Sequence, residues 1–135
     1  MPRATILLVN DNDSFLSGLT ELLRSHDFDV VPHTDFVGAR EYLQHHVPDV
    51  LVTDVRLREY NGLHLVWTAR ARSVSVRAVV YSSHFDPVLE AEANGCGALF
   101  LDKRQVASEL LARLAGDAAF VSKDGVLLPA ERVRS

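Results

Sequence analysis

The sequence has little of what defines several protein classes. It contains one cysteine, Cys96, in 135 residues, which excludes a disulfide framework and a four-cysteine zinc site. Its 14 basic and 18 acidic residues give a formal net charge of −4, without the basic excess of a nucleic-acid-binding chain. No apolar run approaches the roughly 18 residues of a membrane span, and the first residues lack a signal-peptide pattern. We therefore expect a soluble, cytoplasmic protein.

What the sequence does have is a series of short apolar runs. Four runs are rich in branched and aromatic residues and are not interrupted by polar residues. This pattern is typical of strands buried on both faces of a parallel sheet. They cover residues 6–9, 50–52, 78–81 and 98–101. A weaker run, residues 28–31, includes Asp29 and fits an edge strand better. These five runs predict five strands.

Apolar residues at helical spacing lie between and after these strands. The patterns cover residues 15–26, 36–43, 63–70 and 106–114, and Asp86 and Pro87 open one more helix before the last strand. Strands and helices thus alternate five times, and right-handed crossovers predict a (βα)5 doubly wound α/β fold. We expect one domain formed by residues 1–116, followed by a tail or linker at 117–135, where no strong period is present.

Polar residues follow four of the predicted strands. Asn10 and Asp11 follow the first strand, Asp54 the third, Ser82 the fourth and Lys103 the fifth. Ligands of open parallel sheets bind outside the carboxyl ends of the strands, so we expect these side chains to form one site.

Helix capping does not account for these polar residues. Asn61 and Asp86 are better placed to cap the third and fourth helices, and Asn12 or Asp13 can cap the first. Two adjacent carboxylates that are free of capping repel each other and favour a divalent cation. Mg²⁺ binds one or two carboxylates and keeps several waters. A site of this kind neutralises phosphate oxygens while a carboxylate attacks phosphorus and becomes an acyl phosphate.

Four motifs carry a family resemblance. Residues 6–11, 48–57 with 61–63, 79–83 and 100–103 resemble, in this order and spacing, the receiver domain of bacterial two-component response regulators. The resemblance covers residues 5 to about 115 and is greatest to receivers that precede a LuxR-type helix-turn-helix. It implies a flavodoxin-like five-stranded sheet of strand order 2-1-3-4-5.

The resemblance also implies a role for each matching residue. Asp54 is the implied phosphoacceptor, and Ser82 and Lys103 contact the phosphoryl group. Mg²⁺ is bound by Asp11, by Asp54 and by the backbone carbonyl of Arg56, and Asn10 acts on the metal indirectly, through water. Phe100 occupies the aromatic switch position, and Ser82 belongs to the same switch.

The implied function is signal transduction and not turnover of a substrate. The expected phosphodonor is a sensor histidine kinase, and the only group transfer is autocatalytic, to Asp54. Phosphorylation is expected to switch the face formed by the fourth helix, fifth strand and fifth helix, and thereby to control output, in particular transcription. This face would support a homodimer, with Arg104 and Glu109 as contacts. DNA is reached only through an output domain outside this chain, and no membrane partner is expected.

The sequence departs from the family at three places. Asn10 replaces an acid, Arg58 replaces a proline, and residues 94–98 are one residue longer than the family pattern before the fifth strand. Asn10 motivates the alternative that the chain is a degenerate receiver, acting as a phosphorylation-independent protein-interaction module. A haloacid-dehalogenase phosphatase is disfavoured because Phe15 stands where that family needs a hydroxyl, and a flavin module because the acidic loop would repel its phosphate.

The remaining conspicuous residues have simpler interpretations. Trp67, at helical spacing from Leu63, is expected in the core, and Cys96 is expected to be a small buried residue. The six histidines form no pair with metal-ligand spacing and are expected at the surface.

Overall fold

The computed structural model describes residues 4–84 and 86–115 of the chain, so the expected tail at 117–135 lies outside the described residues. Strands and helices alternate five times within them, as the apolar runs predict. The strands are β1 (Thr5–Val9), β2 (Asp29–His33), β3 (Val50–Asp54), β4 (Arg77–Ser82) and β5 (Ala98–Asp102). The helices are α1 (Asp13–Ser25), α2 (Phe36–His45), α3 (Leu63–Arg72), α4 (Pro87–Gly95) and α5 (Val106–Ala115).

Two smaller elements lie at the ends of the central and last strands. An antiparallel ribbon of Arg56–Leu57 with Tyr60–Asn61 connects β3 to α3, and a 3₁₀ turn, Lys103–Gln105, connects β5 to α5. Both therefore begin where the strand-end polar residues stand. Among the described residues, no helix has the length and apolar character needed to cross a bilayer.

The five strands form one parallel sheet in the order β2-β1-β3-β4-β5, which confirms the expected topology. The edge position of β2 agrees with the charge that Asp29 introduces into its sequence. The chain order reverses between β1 and β3, and a ligand site is expected beyond the carboxyl ends of these two strands. Asp54 ends β3, the central strand of the sheet.

Both faces of the sheet are covered, which explains the uninterrupted apolar runs within β1, β3, β4 and β5. Side chains that alternate along each strand divide between two buried clusters. One cluster joins Leu8 and Val52 to α1 and α5, and the other joins Leu51 and Val80 to α2, α3 and α4. The strands are therefore held rigidly from both sides, and their carboxyl ends are fixed relative to one another.

The expectation that Trp67 lies in the core is wrong. Its side chain is 56% exposed and stacks on His64, with ring centroids 5.3 Å apart. Leu65, Val66 and Ala69 fill the inward face of α3, so that Trp67 is left on the outward face. Cys96 is only half-buried.

Helix capping agrees with the sequence analysis at α1 and α4 and departs from it at α3. Asn12 accepts a hydrogen bond from the backbone N–H of Phe15 at 2.9 Å, and Asp86 accepts one from Val88 at 2.9 Å. At α3 the capping residue by backbone geometry is Gly62, and the neighbouring Asn61 accepts from the N–H of Leu63 at 2.8 Å. No strand-end carboxylate of β1 or β3 serves as the cap of these described helices.

Candidate functional site

Three side chains form one row across the carboxyl end of the sheet. In the β3–β4 register Asp54 pairs with Tyr81, and in the β1–β3 register Val9 pairs with Thr53, which places Asn10 next to Asp54 on the other side. Residues in one row point to the same face of a sheet. Asp54 therefore lies between Asn10 and Tyr81, on the side of the sheet that α1 and α5 cover.

The Asp54 carboxyl is the electrostatic centre of this region. Burial raises its pKa above the usual range, and the nearby Asp11 carboxylate acts in the same direction. The backbone N–H of Arg56, which donates to Oδ1 at 2.9 Å, and the Lys103 ammonium both act to lower the pKa. The structure thus brings Asp11, Asp54 and Lys103 close enough for their charges to interact. Repulsion between the two carboxylates favours a cation between them.

The backbone after Asp54 is held in place by a close approach of two segments. The N–H of Gly62 donates to the carbonyl of Val55 at 2.7 Å, and the Thr53 hydroxyl donates to the carbonyl of Asp54 at 2.9 Å. A Cβ at position 62 would collide with the Asp54 carbonyl oxygen, so this approach requires glycine. The close approach of Gly62 thereby fixes the ribbon against the end of β3.

The ribbon explains the absence of proline at position 58. Arg58 has φ = 59° and lies in the tight turn between the two short strands. The proline ring fixes φ at about −65°, so proline cannot adopt this turn. Arg58 therefore occupies a turn that proline cannot form.

The remaining predicted site residues lie at the end of β4, within β5 and directly after β5. Ser82 is buried, and its Oγ accepts from the N–H of His84 at 3.2 Å. Lys103 opens the 3₁₀ turn, and its Nζ lies 4.8 Å from the centroid of the Phe15 ring. Phe100 is half-buried against the cluster that faces α2, α3 and α4. Ser82 and Phe100 thus lie on neighbouring strands.

Asn10 is fully buried and has a protein partner on each side of its amide. Its Oδ1 accepts from the backbone N–H of Asn12 at 2.8 Å, and its Nδ2 donates to the Tyr81 hydroxyl at 2.7 Å. The Tyr81 hydroxyl in turn donates to the carbonyl of Val9 at 3.3 Å. Burial raises the pKa of the Tyr81 phenol well above its usual range, so the phenol stays neutral.

Sequence reasoning missed Tyr81. The residue falls within the apolar run of β4, and this pattern predicts a core side chain. Register is the signal that identifies it, because position 81 pairs with Asp54 across the sheet.

The donor set suits Mg²⁺. Asp11 and Asp54 supply two carboxylates near a backbone turn that offers a carbonyl at Arg56, and Mg²⁺ is commonly bound by one or two carboxylates with retained waters. Within residues 4–84 and 86–115, no three histidine, cysteine or acidic side chains are grouped to hold a metal ion. A site here would therefore depend on two carboxylates, backbone and water.

Comparisons with known protein sequences point to one family. The family model described as "Response regulator receiver domain" matches residues 6–115. The chain is 34% identical over 108 residues to the transcriptional regulatory protein FixJ of Azorhizobium caulinodans, an alignment that covers 76% of this chain and 50% of FixJ. It is 34% identical over 113 residues to nodulation protein W of Bradyrhizobium diazoefficiens, with 81% of this chain and 48% of that protein covered. The chain spans about half the length of these curated relatives.

Solved structures agree on the fold. A CheY-like response regulator receiver domain protein from Methanospirillum hungatei JF-1 superposes with a TM-score of 0.78 at 14% identity, covering 87% of this chain and 94% of that one. The signal receiver domain of the response regulator NarL from Mycobacterium tuberculosis gives a TM-score of 0.73 at 21% identity, covering 87% and 98%. At these identities the likeness shows a shared fold.

Proposed function

Since the chain belongs to the response regulator receiver domain family, we propose that it accepts a phosphoryl group on Asp54 from a sensor histidine kinase in the cytoplasm. The observation that carries this proposal is the environment of Asp54. The carboxyl ends the central strand, is held by the N–H of Arg56, and lies within electrostatic reach of both Asp11 and Lys103.

The proposed step is an in-line transfer of the phosphoryl group to Asp54. A carboxylate oxygen of Asp54 attacks phosphorus, the P–N bond of the phosphohistidine breaks, and its electron pair returns to the imidazole. Bound Mg²⁺ supplies charge neutralisation for the phosphoryl oxygens. Asp11, Asp54 and the carbonyl of Arg56 are the proposed metal ligands, and Asn10 acts through water. Ser82 and Lys103 bind phosphoryl oxygens, so the chain carries out this transfer on itself and turns over no substrate.

The competing function is a phosphorylation-independent interaction module. Asn10 favours this alternative, because its neutral amide adds no charge to a metal site. Both polar atoms of the amide also have hydrogen-bond partners within the protein. A module of this type would not use the four residues proposed to bind the metal or the phosphoryl group, which are Asp11, Asp54, Ser82 and Lys103.

Intact-mass measurement separates the two functions. After incubation with Mg²⁺ and acetyl phosphate we expect one added phosphoryl group, and a matched sample with excess chelator is expected to gain none. An unchanged mass with Mg²⁺ present would favour the interaction module.

We further propose that phosphorylation changes the α4-β5-α5 face. Ser82 moves towards the phosphoryl oxygens and vacates space into which Phe100 turns, which biases a two-state equilibrium. Arg104 and Glu109, the candidate dimer contacts, already form ion pairs within the chain. Arg104 binds Asp102 at 2.8 Å, and Arg113 lies 3.6 Å from Glu109. Control of transcription and any DNA contact are proposed for an output domain outside the receiver.

A phosphoryl mimic is therefore expected to shift self-association. Exposed ion pairs contribute little individually, so those of Arg104 and Glu109 can exchange for contacts with a second copy. Sedimentation should show a larger average mass with the mimic than without it. The shift should be reduced in Arg104→Ala, and it should persist in Arg24→Ala, a change on α1 away from this face. Identical masses with and without the mimic would contradict the dimer.

A further inference from the structure

A fully buried hydrogen-bonded pair lies beside the phosphoacceptor, and one of its two members, Tyr81, has no place in the function proposed so far. Asn10 and Tyr81 lie in the same row as Asp54, one on each side of it, and both side chains are shielded from solvent. The Tyr81 phenol extends from β4 across the central strand to the Asn10 amide. The distance between Nδ2 of Asn10 and Oη of Tyr81 is 2.7 Å. The two outer members of the row are thus tied together next to Asp54.

The direction of this hydrogen bond follows from its neighbours. The backbone N–H of Asn12 can only donate, so the atom of Asn10 that it contacts at 2.8 Å is the oxygen Oδ1. The NH₂ group therefore faces the phenol, and the phenol accepts. Its own proton is then free for the carbonyl of Val9 at 3.3 Å. An amide accepts on one side and donates on the other, which a carboxylate or an aliphatic side chain cannot do.

We infer that Tyr81 is a positioning residue for the magnesium site and that it acts through Asn10. Asp11, the proposed metal ligand, lies in the chain between Asn10 and Asn12, and these neighbours are joined by the 2.8 Å bond. Asn12 also caps α1, so one end of the segment is fixed by the helix and the other by Tyr81. A ligand held in this way loses little conformational freedom when metal binds. The inference rests on the proposed phosphoacceptor function.

The same phenol ring also supports the other side of the site. Tyr81 packs against Phe15 with ring centroids 5.5 Å apart. The Lys103 ammonium lies 4.8 Å from the centroid of the same Phe15 ring, so Phe15 connects Tyr81 to Lys103. Removal of the hydroxyl leaves this ring packing in place. The contribution of the hydrogen bond can therefore be tested separately from the contribution of the ring.

Tyr81→Phe removes the phenolic oxygen alone. Because Asn10 then lacks an acceptor for its buried NH₂, we expect the affinity for Mg²⁺ to fall by about three- to tenfold, the range that one net hydrogen bond supplies. Calorimetric titration of the whole chain with MgCl₂ measures this affinity. Tyr42→Phe removes a tyrosine hydroxyl from α2 and is expected to leave the affinity unchanged.

A double-mutant cycle tests whether Tyr81 acts through Asn10. In an Asn10→Ala background the hydroxyl has no amide to hold, so Tyr81→Phe should weaken Mg²⁺ binding no further. An equal loss in both backgrounds, or no loss in the wild-type background, overturns the inference.

A second measurement does not depend on metal. In metal-free protein, hydrogen exchange at the Asn12 amide is expected to be severalfold faster in Tyr81→Phe than in the wild type, with unchanged exchange in the core of β3. Unchanged exchange at Asn12 would overturn the inference. If the wild type binds no Mg²⁺ and gains no phosphoryl group, the proposed function fails. Faster exchange at Asn12 in Tyr81→Phe would still support the conclusion that Tyr81 fixes the position of residues 10–12.

Discussion

Asp54→Asn is expected to gain no phosphoryl group under conditions in which the wild type gains one. An amide oxygen is a far weaker nucleophile than a carboxylate oxygen, and no other described carboxylate ends a central strand beside a second acid. Intact-mass measurement with Mg²⁺ and acetyl phosphate is the test. Asp49→Asn is the matched control, because Asp49 directly precedes β3, and its Oδ2 accepts from the N–H of Thr5 at 2.8 Å, away from the carboxyl end.

The same variant should be more stable than the wild type at neutral pH. Burial raises the pKa of Asp54 in the folded state, so the folded protein holds this proton more tightly than the unfolded chain does. The folded state therefore loses stability as pH rises from the unfolded pKa through the folded pKa, and the loss is present above this window. Asparagine removes this charge. Chemical unfolding at neutral pH should give a higher midpoint for Asp54→Asn, and the difference should disappear below the usual aspartate pKa.

These two outcomes together exclude unfolding as the reason why Asp54→Asn is not phosphorylated. A variant that fails to be phosphorylated but is more stable has not lost function by unfolding. A phosphoryl gain in Asp54→Asn equal to that of the wild type would place the phosphoacceptor elsewhere and overturn the assignment.

The parts of the fold that were predictable from the sequence share a physical origin. β3 and β4 are buried on both faces, so their sequences are unbroken apolar runs, and β2 lies at the edge, so Asp29 is tolerated. Alternation of such runs with helical periods leaves few topologies once right-handed crossovers are required. The carboxyl ends of parallel strands meet at one edge, so the sequence alone groups the polar residues that follow these strands into one candidate site.

The parts that were not predictable depend on geometry between strands. The Asn10–Tyr81 hydrogen bond joins residues 71 positions apart, and it requires the register of β1, β3 and β4. The exposure of Trp67 depends on which face of α3 meets the sheet, and helical spacing alone allowed more than one face. The positive φ of Arg58 belongs to a two-residue turn that no apolar pattern marks.

Asn10→Asp is expected to tighten Mg²⁺ binding by about tenfold. The natural site holds two carboxylates, and this change adds a third. A unit charge about 5 Å from a divalent ion contributes roughly 1–2 kcal/mol even when water screens most of the interaction. The added charge also repels Asp11 and Asp54 in the metal-free protein, and the metal relieves this repulsion. Both effects act in the same direction, and about 1.4 kcal/mol corresponds to a factor of ten in affinity.

The surroundings of Asn10 can accommodate the new carboxylate. One oxygen would keep the hydrogen bond from the Asn12 N–H, and the other would face the Tyr81 hydroxyl, which can rotate its proton away from the Val9 carbonyl and donate instead. These donors stabilise the charge without removing it, so the attraction to Mg²⁺ persists.

Calorimetric titration of both forms measures the change in affinity. Asn12→Asp is the matched control, because it adds the same charge two residues further on, at an exposed position where aspartate also caps α1. Solvent screens that charge, so a smaller gain in affinity is expected for the control than for Asn10→Asp. If Asn10→Asp binds Mg²⁺ no more tightly than the wild type, position 10 lies outside the electrostatic reach of the metal, and the row formed by Asn10, Asp54 and Tyr81 supports the site by packing alone.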